Sequence, residues 1–368
     1  MSPALVIILV GSLVAASCAL VGSFLVLRKM ALVGDAISHA VLPGIVIAFL
    51  LSGSRASLPM LVGAGAFGVL TVLLVELFHK TGRLHEDASI GVVFPVLFSF
   101  GVLLISRYAN QVDLDLDCVL YGEIAYAPWD QLKLAGQLLG PKALWLNGLV
   151  FAVNLLFVGL CYKELKLGTF DPELAAALGF APTLMHYLLM GSVSLTVVGA
   201  FESVGAILVV AMLVVPPATA YLLTERLSRM IALAMAFGVA SAIAGYGLAR
   251  WIDASIAGAI GVAAGGFFLL TFLLSPRHGL IAKALRHRRL SEATAEQMLL
   301  LHLKAEGQGL SREHLGRRFG WSEPRLEATL TALTQRGHAR RDNGKCYLTE
   351  SGARFIEATG QELIRDRG

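Results

Sequence analysis

The sequence predicts an all-α polytopic membrane bundle of about 8–10 transmembrane segments, followed by a small C-terminal domain of mixed α and β structure. Three observations predict it. Hydrophobic residues make up 56% of the 368 positions and charged residues only 15%, against about 25% charged in soluble domains. Apolar runs long enough to cross the hydrocarbon core, roughly 20 residues each, recur along the first three quarters of the chain. Charge is also unevenly placed. From Arg286 onward there are 15 basic and 11 acidic residues, leaving 15 and 15 before it (30 − 15 and 26 − 11), so the net +4 belongs to the polar end. The division is expected as a membrane domain over 1–283 and a polar domain over 284–368.

In chain order the apolar blocks fall at 3–27, 32–51, 58–78, 90–106, 143–161, 183–201, 204–223, 230–249 and 252–274. The second and seventh contain prolines and are expected to be broken or partly re-entrant. The sixth and seventh are separated only by Glu202 and Ser203. Basic connections (Arg28-Lys29, His79 to Arg83, Lys163 to Lys166, Glu225 to Arg229, Arg277 to Arg289) follow the odd-numbered blocks, whereas the even-numbered blocks at 32–51, 90–106 and 230–249 are followed closely by single basic residues, Arg55, Arg107 and Arg250. Basic connections stay in the cytoplasm. The N-terminus is therefore expected outside and the polar domain inside. The 108–142 connection, with Asp113, Asp115 and Asp117, would then face the exterior. In the last block, Gly261 and Gly265 form a G-x-x-x-G pair on which another helix could pack closely. Cys18, Cys118, Cys161 and Cys346 lie too far apart to suggest a disulfide framework or metal-ligand spacing.

An ionisable group inside a span costs about 3 kcal/mol on insertion scales and marks a functional position. The second block holds Asp35 and His39, four residues apart and so on one helix face. A carboxylate with an imidazole suits manganese, zinc or ferrous iron, whereas calcium and magnesium favour all-oxygen sites. Pro43 lacks the N–H that would bond the His39 carbonyl, which opens a turn beside the pair. The alternative is an Asp35 near the membrane surface and a His39 bonded to nearby backbone. Two ligands are too few for a stable site, and a second copy of the segment from a partner chain across an axis would raise the count to four. Glu202 is a further acid in the membrane domain, which either guides cations inward or marks a turn. Pro216 and Pro217 leave the Met212 and Leu213 carbonyls without helical donors and suggest a kink or gate.

The 165–182 connection predicts a short capped helix. Asp171 suits the N-cap, Pro172 the first helical position and Gly179 the left-handed stop, with Glu173 and Ala176 between them. Such a helix on the cytoplasmic side has the shape that docks into a motor subunit, and it is equally an ordinary connector. No G-x-x-x-x-G-K-[ST] phosphate loop is present, so any ATP hydrolysis falls to another chain, and the protein is not expected to be an enzyme.

The polar domain predicts helices over 291–304, 311–319 and 325–336, then a hairpin over 340–348 with an Asn343-Gly344 turn, then a last helix opened by Thr349-Glu350-Ser351-Gly352. Three helices and a hairpin resemble a winged helix-turn-helix, similar to the DNA-binding domains of iron-dependent repressors. The recognition helix would be 323–335, with Arg325 at its start. Glu323 and Glu327 on that helix, and a domain charge of only +4, argue against nucleic acid as a partner.

Residues 27–44, and above all Met30-Ala31-Leu32-Val33-Gly34-Asp35-Ala36-Ile37-Ser38-His39-Ala40-Val41-Leu42-Pro43-Gly44, resemble the hallmark segment of the manganese, zinc and iron permeases of ABC transporters. Glu86-Asp87-Ala88-Ser89-Ile90-Gly91 and the stretch 205–220 are similar to the same family. The resemblance covers about 1–283. It implies a multi-pass protein of the bacterial inner membrane, paired with an identical or related permease. It also implies cytoplasmic ATP-binding subunits and an extracytoplasmic metal-binding protein, with no permanent cofactor and a transported divalent metal. It implies metal contact at Asp35 and His39 and ATPase contact at Asp171, Pro172, Glu173, Ala176 and Gly179. The C-terminal domain departs from the usual family length. Two other classes remain: an uncoupled metal carrier, and a membrane-anchored regulator whose C-terminal domain binds DNA.

Overall fold

The structure is a computed structural model that describes residues 2–52, 57–80, 86–108, 124–134, 137–275, 279–306, 309–342 and 344–356. It divides into two compact units, Met1–Gly279 and Leu280–Gly368.

The first unit is built from helices α1 (Pro3–Leu27), α2 (Ala31–Ala40), α3 (Leu42–Ser52), α4 (Ser57–Lys80), α5 (Glu86–Tyr108), α6 (Lys142–Leu160), α7 (Tyr162–Phe170), α8 (Pro172–Ala177), α9 (Pro182–Val204), α10 (Ala206–Tyr221), α11 (Leu227–Ile252) and α12 (Ile256–Leu274). Eight segments among the described residues are long and apolar enough to span a bilayer, α2 and α3 together counting as one. The remaining block, the seventh (204–223), is the shorter helix α10. Its 16 residues rise about 24 Å at 1.5 Å each, less than the ~30 Å hydrocarbon core. The 183–201 and 204–223 blocks do not part at Glu202 and Ser203. Helix α9 runs on to Val204, and the chain turns at Gly205, whose φ of +79° a side chain would resist.

Helix α1 is the axis of this unit, buried along most of its length and packed by α6, α9, α10 and α11. Backbones approach closely where glycine permits. A Cβ on Gly22 would overlap the Leu213 carbonyl oxygen. That oxygen is the one Pro217 leaves without its helical donor, so an opened carbonyl of α10 packs against α1. Both Pro216 and Pro217 are buried within α10, which continues through them. Buried amides tie the bundle together. Asn154 Nδ2 of α6 donates to Ser17 Oγ of α1 at 2.9 Å and to Thr196 Oγ1 of α9 at 2.6 Å. Asn147 donates to Ser203 Oγ at 2.9 Å. Interhelical bonds of this kind hold membrane helices that gain little from the hydrophobic effect.

Gly261 and Gly265 do not make the close contact expected of them. No atom among the described residues lies within 4 Å of either Cβ position, and α12 instead approaches α11 through Gly245 against Ile260. The 108–142 connection contains an antiparallel hairpin the sequence did not suggest, β1 (Gln131–Leu134) with β2 (Gln137–Pro141). Asp113, Asp115, Asp117 and Cys118 lie outside the described residues. Cys18, Cys161 and Cys346 are free thiols.

The second unit contains α13 (Leu280–Glu306), β3 (Leu310–Ser311), α14 (Arg312–Phe319), α15 (Glu323–Gln335), β4 (Ala339–Asp342) and β5 (Lys345–Leu348), then a helical stretch over 350–356. The first helix is much longer than the 291–304 expected, because a continuous run of helix-compatible residues extends back to Leu280. The third begins two residues earlier than expected, since Pro324 fits the first turn. The sheet order is β3-β5-β4, all antiparallel. Strands β4 and β5 form the expected hairpin; Asn343 of its turn lies outside the described residues. Leu299, Leu300, Leu303, Leu315, Leu326, Leu330 and Leu333 form a separate core. Glu296, largely buried, is paired with Arg336 at 2.6 Å.

Candidate functional site

The chain 31–52 is one span broken into two helices. Pro43 cannot donate to the His39 carbonyl, and the break falls at Val41, between α2 and α3. Helix α2 is packed by α4, α5, α9 and α10. Val33, Gly34, Ala36, Ile37, Ser38 and Ala40 are buried, and the Ser38 hydroxyl is spent on the Gly34 carbonyl at 2.9 Å. Leu32, Asp35 and His39 lie on the face left open. The two polar groups sit one turn apart, Asp35 Oδ1 3.5 Å from His39 Nε2, with 45% and 29% of their side-chain surface exposed. Two donors on a tetrahedral cation with bonds of about 2.1 Å stand roughly 3.4 Å apart, close to the spacing of this pair. Phe94 and Phe98 of α5 flank the imidazole, with ring centroids at 5.4 and 6.0 Å.

Glu202 lies in the last turn of α9, on a different element from the pair; its side chain is outside the described atoms. The structure therefore brings Asp35 and His39 together.

Helix α8 has the caps its sequence requires. Asp171 Oδ1 accepts from the Leu174 N–H at 2.9 Å, and Pro172 opens the helix. At the other end Gly179, φ +86°, closes a pair of bonds, Phe180 N–H to the Ala175 carbonyl and Gly179 N–H to the Ala176 carbonyl, both 3.0 Å. Asp171, Glu173, Ala176 and Gly179 are exposed, as are the apolar Leu174, Leu178 and Phe180 beside them.

Beside α8 is a polar cluster that sequence reading missed. Arg28, just after α1, donates from Nε to Thr169 Oγ1 at 3.1 Å, and its Nη1 lies 3.3 Å from His186 Nδ1. His186 Nε2 is 3.9 Å from Glu76 Oε2 of α4. Arg28, Glu76 and His186 border a cavity of about 350 Å³ that Gly168, Pro172 and Pro182 also line. Burial pulls the Arg28 guanidinium below its usual value. No local pattern could have found this cluster, since Arg28 and His186 are 158 residues apart.

A helical bundle of this length, with a carboxylate–imidazole pair set in a broken span, defines a polytopic membrane transport subunit. The chain belongs to the ABC 3 transport family, whose profile matches residues 2–275. The manganese transport system membrane protein MntD of Bacillus subtilis (strain 168) is 50% identical over 280 residues, which are 76% of this chain and 95% of MntD. The zinc transport system membrane protein TroD of Treponema pallidum (strain Nichols) is 42% identical over 358 residues, 96% of this chain and 97% of TroD. Among solved structures, PsaBC from Streptococcus pneumoniae in complex with Fab matches with 31% identity and a TM-score of 0.64, over 76% of this chain and 94% of the matched one. The family is one of transport subunits, so the protein is not an enzyme. The match to TroD covers nearly the whole chain and so reaches into both units, whereas the match to MntD covers about three quarters of it.

Proposed function

We propose that the chain is the permease subunit of an ATP-driven importer for a divalent transition metal of the manganese, zinc and iron group. The metal passes Asp35 and His39 on a path completed by a second permease, identical or related. The observation that carries this reading is the pair itself, an acid and an imidazole 3.5 Å apart on the open face of a largely buried helix. Carboxylate and imidazole together suit these three metals. The names of MntD and TroD support the same cargo class. The surface that both side chains keep in the single chain leaves room for a partner permease to supply further donors. Glu202 would act on cations approaching the path.

The basic connections support a cytoplasmic C-terminal unit and an exterior N-terminus. On that orientation α8 is cytoplasmic. Its exposed Leu174, Leu178 and Phe180 form the apolar surface on which an ATP-binding subunit docks. An extracytoplasmic metal-binding protein would deliver cargo to the opposite side. The C-terminal unit reads as a winged helix, on the support of its three helices and the sheet order β3-β5-β4. It is a poor DNA reader. Glu327, on the helix that would enter the groove, already holds Arg341 at 2.7 Å and also pairs with Arg312, so two cations are withdrawn from phosphate contact.

The test is uptake of manganese, zinc and ferrous iron by proteoliposomes carrying the full transporter. Asp35→Ala and His39→Ala should each insert normally and lose transport about tenfold or more, at least the loss seen when a metal ligand's support is removed. Wild-type uptake by both variants would overturn the site. Uptake that persists without the ATP-binding subunit would point to an uncoupled carrier instead.

A further inference from the structure

The C-terminal unit contains a cluster of metal-ligating side chains that the transport path does not use. His302 and Glu306 stand four residues apart near the end of α13 and share a face. The chain returns through β3 into α14, whose start is set by Ser311 Oγ accepting from the His314 N–H at 3.3 Å. That cap fixes His314 opposite the α13 pair. One ligand atom from each of the three residues lies within 4.8 Å of the other two. The His302 and His314 rings are nearly parallel, 11° apart at 6.0 Å, and Phe319 meets His302 edge-on at 5.4 Å.

The cluster has one feature that ordinary packing does not explain. His302 Nε2 is buried and has no hydrogen-bond partner among the described residues. A buried ring nitrogen left unpaired is costly, and natural structures leave few of them. A histidine serving only as an aromatic filler would turn that nitrogen to a backbone group or to solvent. Here the ring is held by Phe319 on one side and lies beside a second imidazole and a carboxylate.

We infer that the C-terminal unit holds a divalent transition-metal site of its own, formed by His302, Glu306 and His314. Two imidazoles and one carboxylate make a donor set for zinc, manganese or ferrous iron, and a poor one for magnesium or calcium. Donors on such an ion stand about 3.4 Å apart at bonds near 2.1 Å. Small side-chain rotations therefore close the site, and Glu306 and His314, both exposed, are free to make them. Water fills the remaining positions. The bound ion would link α13 to α14 and stiffen the unit. If the transport reading above holds, the site also lets the imported metal report its own cytoplasmic level, but the site itself does not depend on that reading.

The test uses the full-length protein in detergent, stripped with chelator and titrated with zinc, with bound metal counted per chain. Glu306→Gln with His314→Gln should remove one zinc equivalent, or weaken that binding step about 10–100-fold or more. Both positions are exposed, so the fold should survive. Asp35→Asn with His39→Gln should leave this equivalent in place, which separates the site from the transport path. Zinc should also slow hydrogen exchange at the start of α14 in the wild type and not in the Glu306/His314 variant. Equal zinc stoichiometry and affinity in wild type and that variant, with no change in exchange at α14, would overturn the inference.

Discussion

Replacing Gly179 by Val tests whether α8 transmits motion between the permease and its motor. The helix has only six residues between its caps, too few to be stable alone, so its ends decide whether it forms. Gly179 sits at φ +86° with no atom within 4 Å of its Cβ position. Space is therefore not the obstacle to a side chain; backbone conformation is. A left-handed residue with a side chain costs about 1–2 kcal/mol, and a β-branched one resists most. That shifts the population of the correctly stopped helix by about 5–30-fold. Asp171→Ala at the other end removes the bond to the Leu174 N–H and should cost about 1 kcal/mol. Asparagine tolerates the left-handed region, so Gly179→Asn should retain most of the function. The assay is metal transported per ATP hydrolysed in proteoliposomes. The expected order of that ratio is wild type, then Gly179→Asn, then Asp171→Ala. Gly179→Val should be lowest, with hydrolysis persisting without matched transport. A wild-type ratio in Gly179→Val, or a ratio in Gly179→Asn as poor as in Gly179→Val, would refute the argument.

Further perturbations follow from the same geometry. Gly22→Ala places a methyl against the Leu213 carbonyl and should destabilise the bundle by about 1–3 kcal/mol, seen as a lower melting temperature in detergent. Gly191→Ala, with nothing within 4 Å, is the control and should not lower it. Asn154→Leu removes bonds to α1 and α9 and should cost about 1 kcal/mol, near 0.6 for each bond, in the same melt. In the C-terminal unit, the hydrogen bond from Arg341, helped by Arg312, holds the Glu327 carboxyl below its ordinary 4.5. The folded value is the lower one, so the stabilisation is full above the unfolded value and is lost as pH falls through the folded one. Hydrogen-exchange protection in α15 and β4, measured relative to the intrinsic rate at each pH, should fall on acidification below about pH 4.5, and Glu327→Gln should flatten that dependence. An unchanged slope in the variant would assign the acid sensitivity elsewhere.

Local chemistry alone made the membrane bundle, the near-complete extent of α1 and α6, the break in the 32–51 block and the caps of α8 legible before any fold was known. Lipid demands runs of about 20 apolar residues with satisfied backbones, proline withholds a donor wherever it stands, and a cap needs only its neighbours. The Asp35–His39 pairing was legible for the same reason, because residues four apart on a helix must share a face. The assembled fold was needed wherever the partners are distant in the chain. Periodicity gave no sign that Arg28 would meet Thr169 and His186, or that His314 would cross a strand to face His302 and Glu306. It gave no sign that Gly22 would receive a carbonyl opened by Pro217. The G-x-x-x-G pair of α12 shows the converse, a local signal for close packing that no described neighbour answers. In a bilayer every span is apolar all round, so the chain does not mark which face meets which helix. That choice is made by small residues, buried amides and opened carbonyls finding their complements, and these exist only once the helices are assembled.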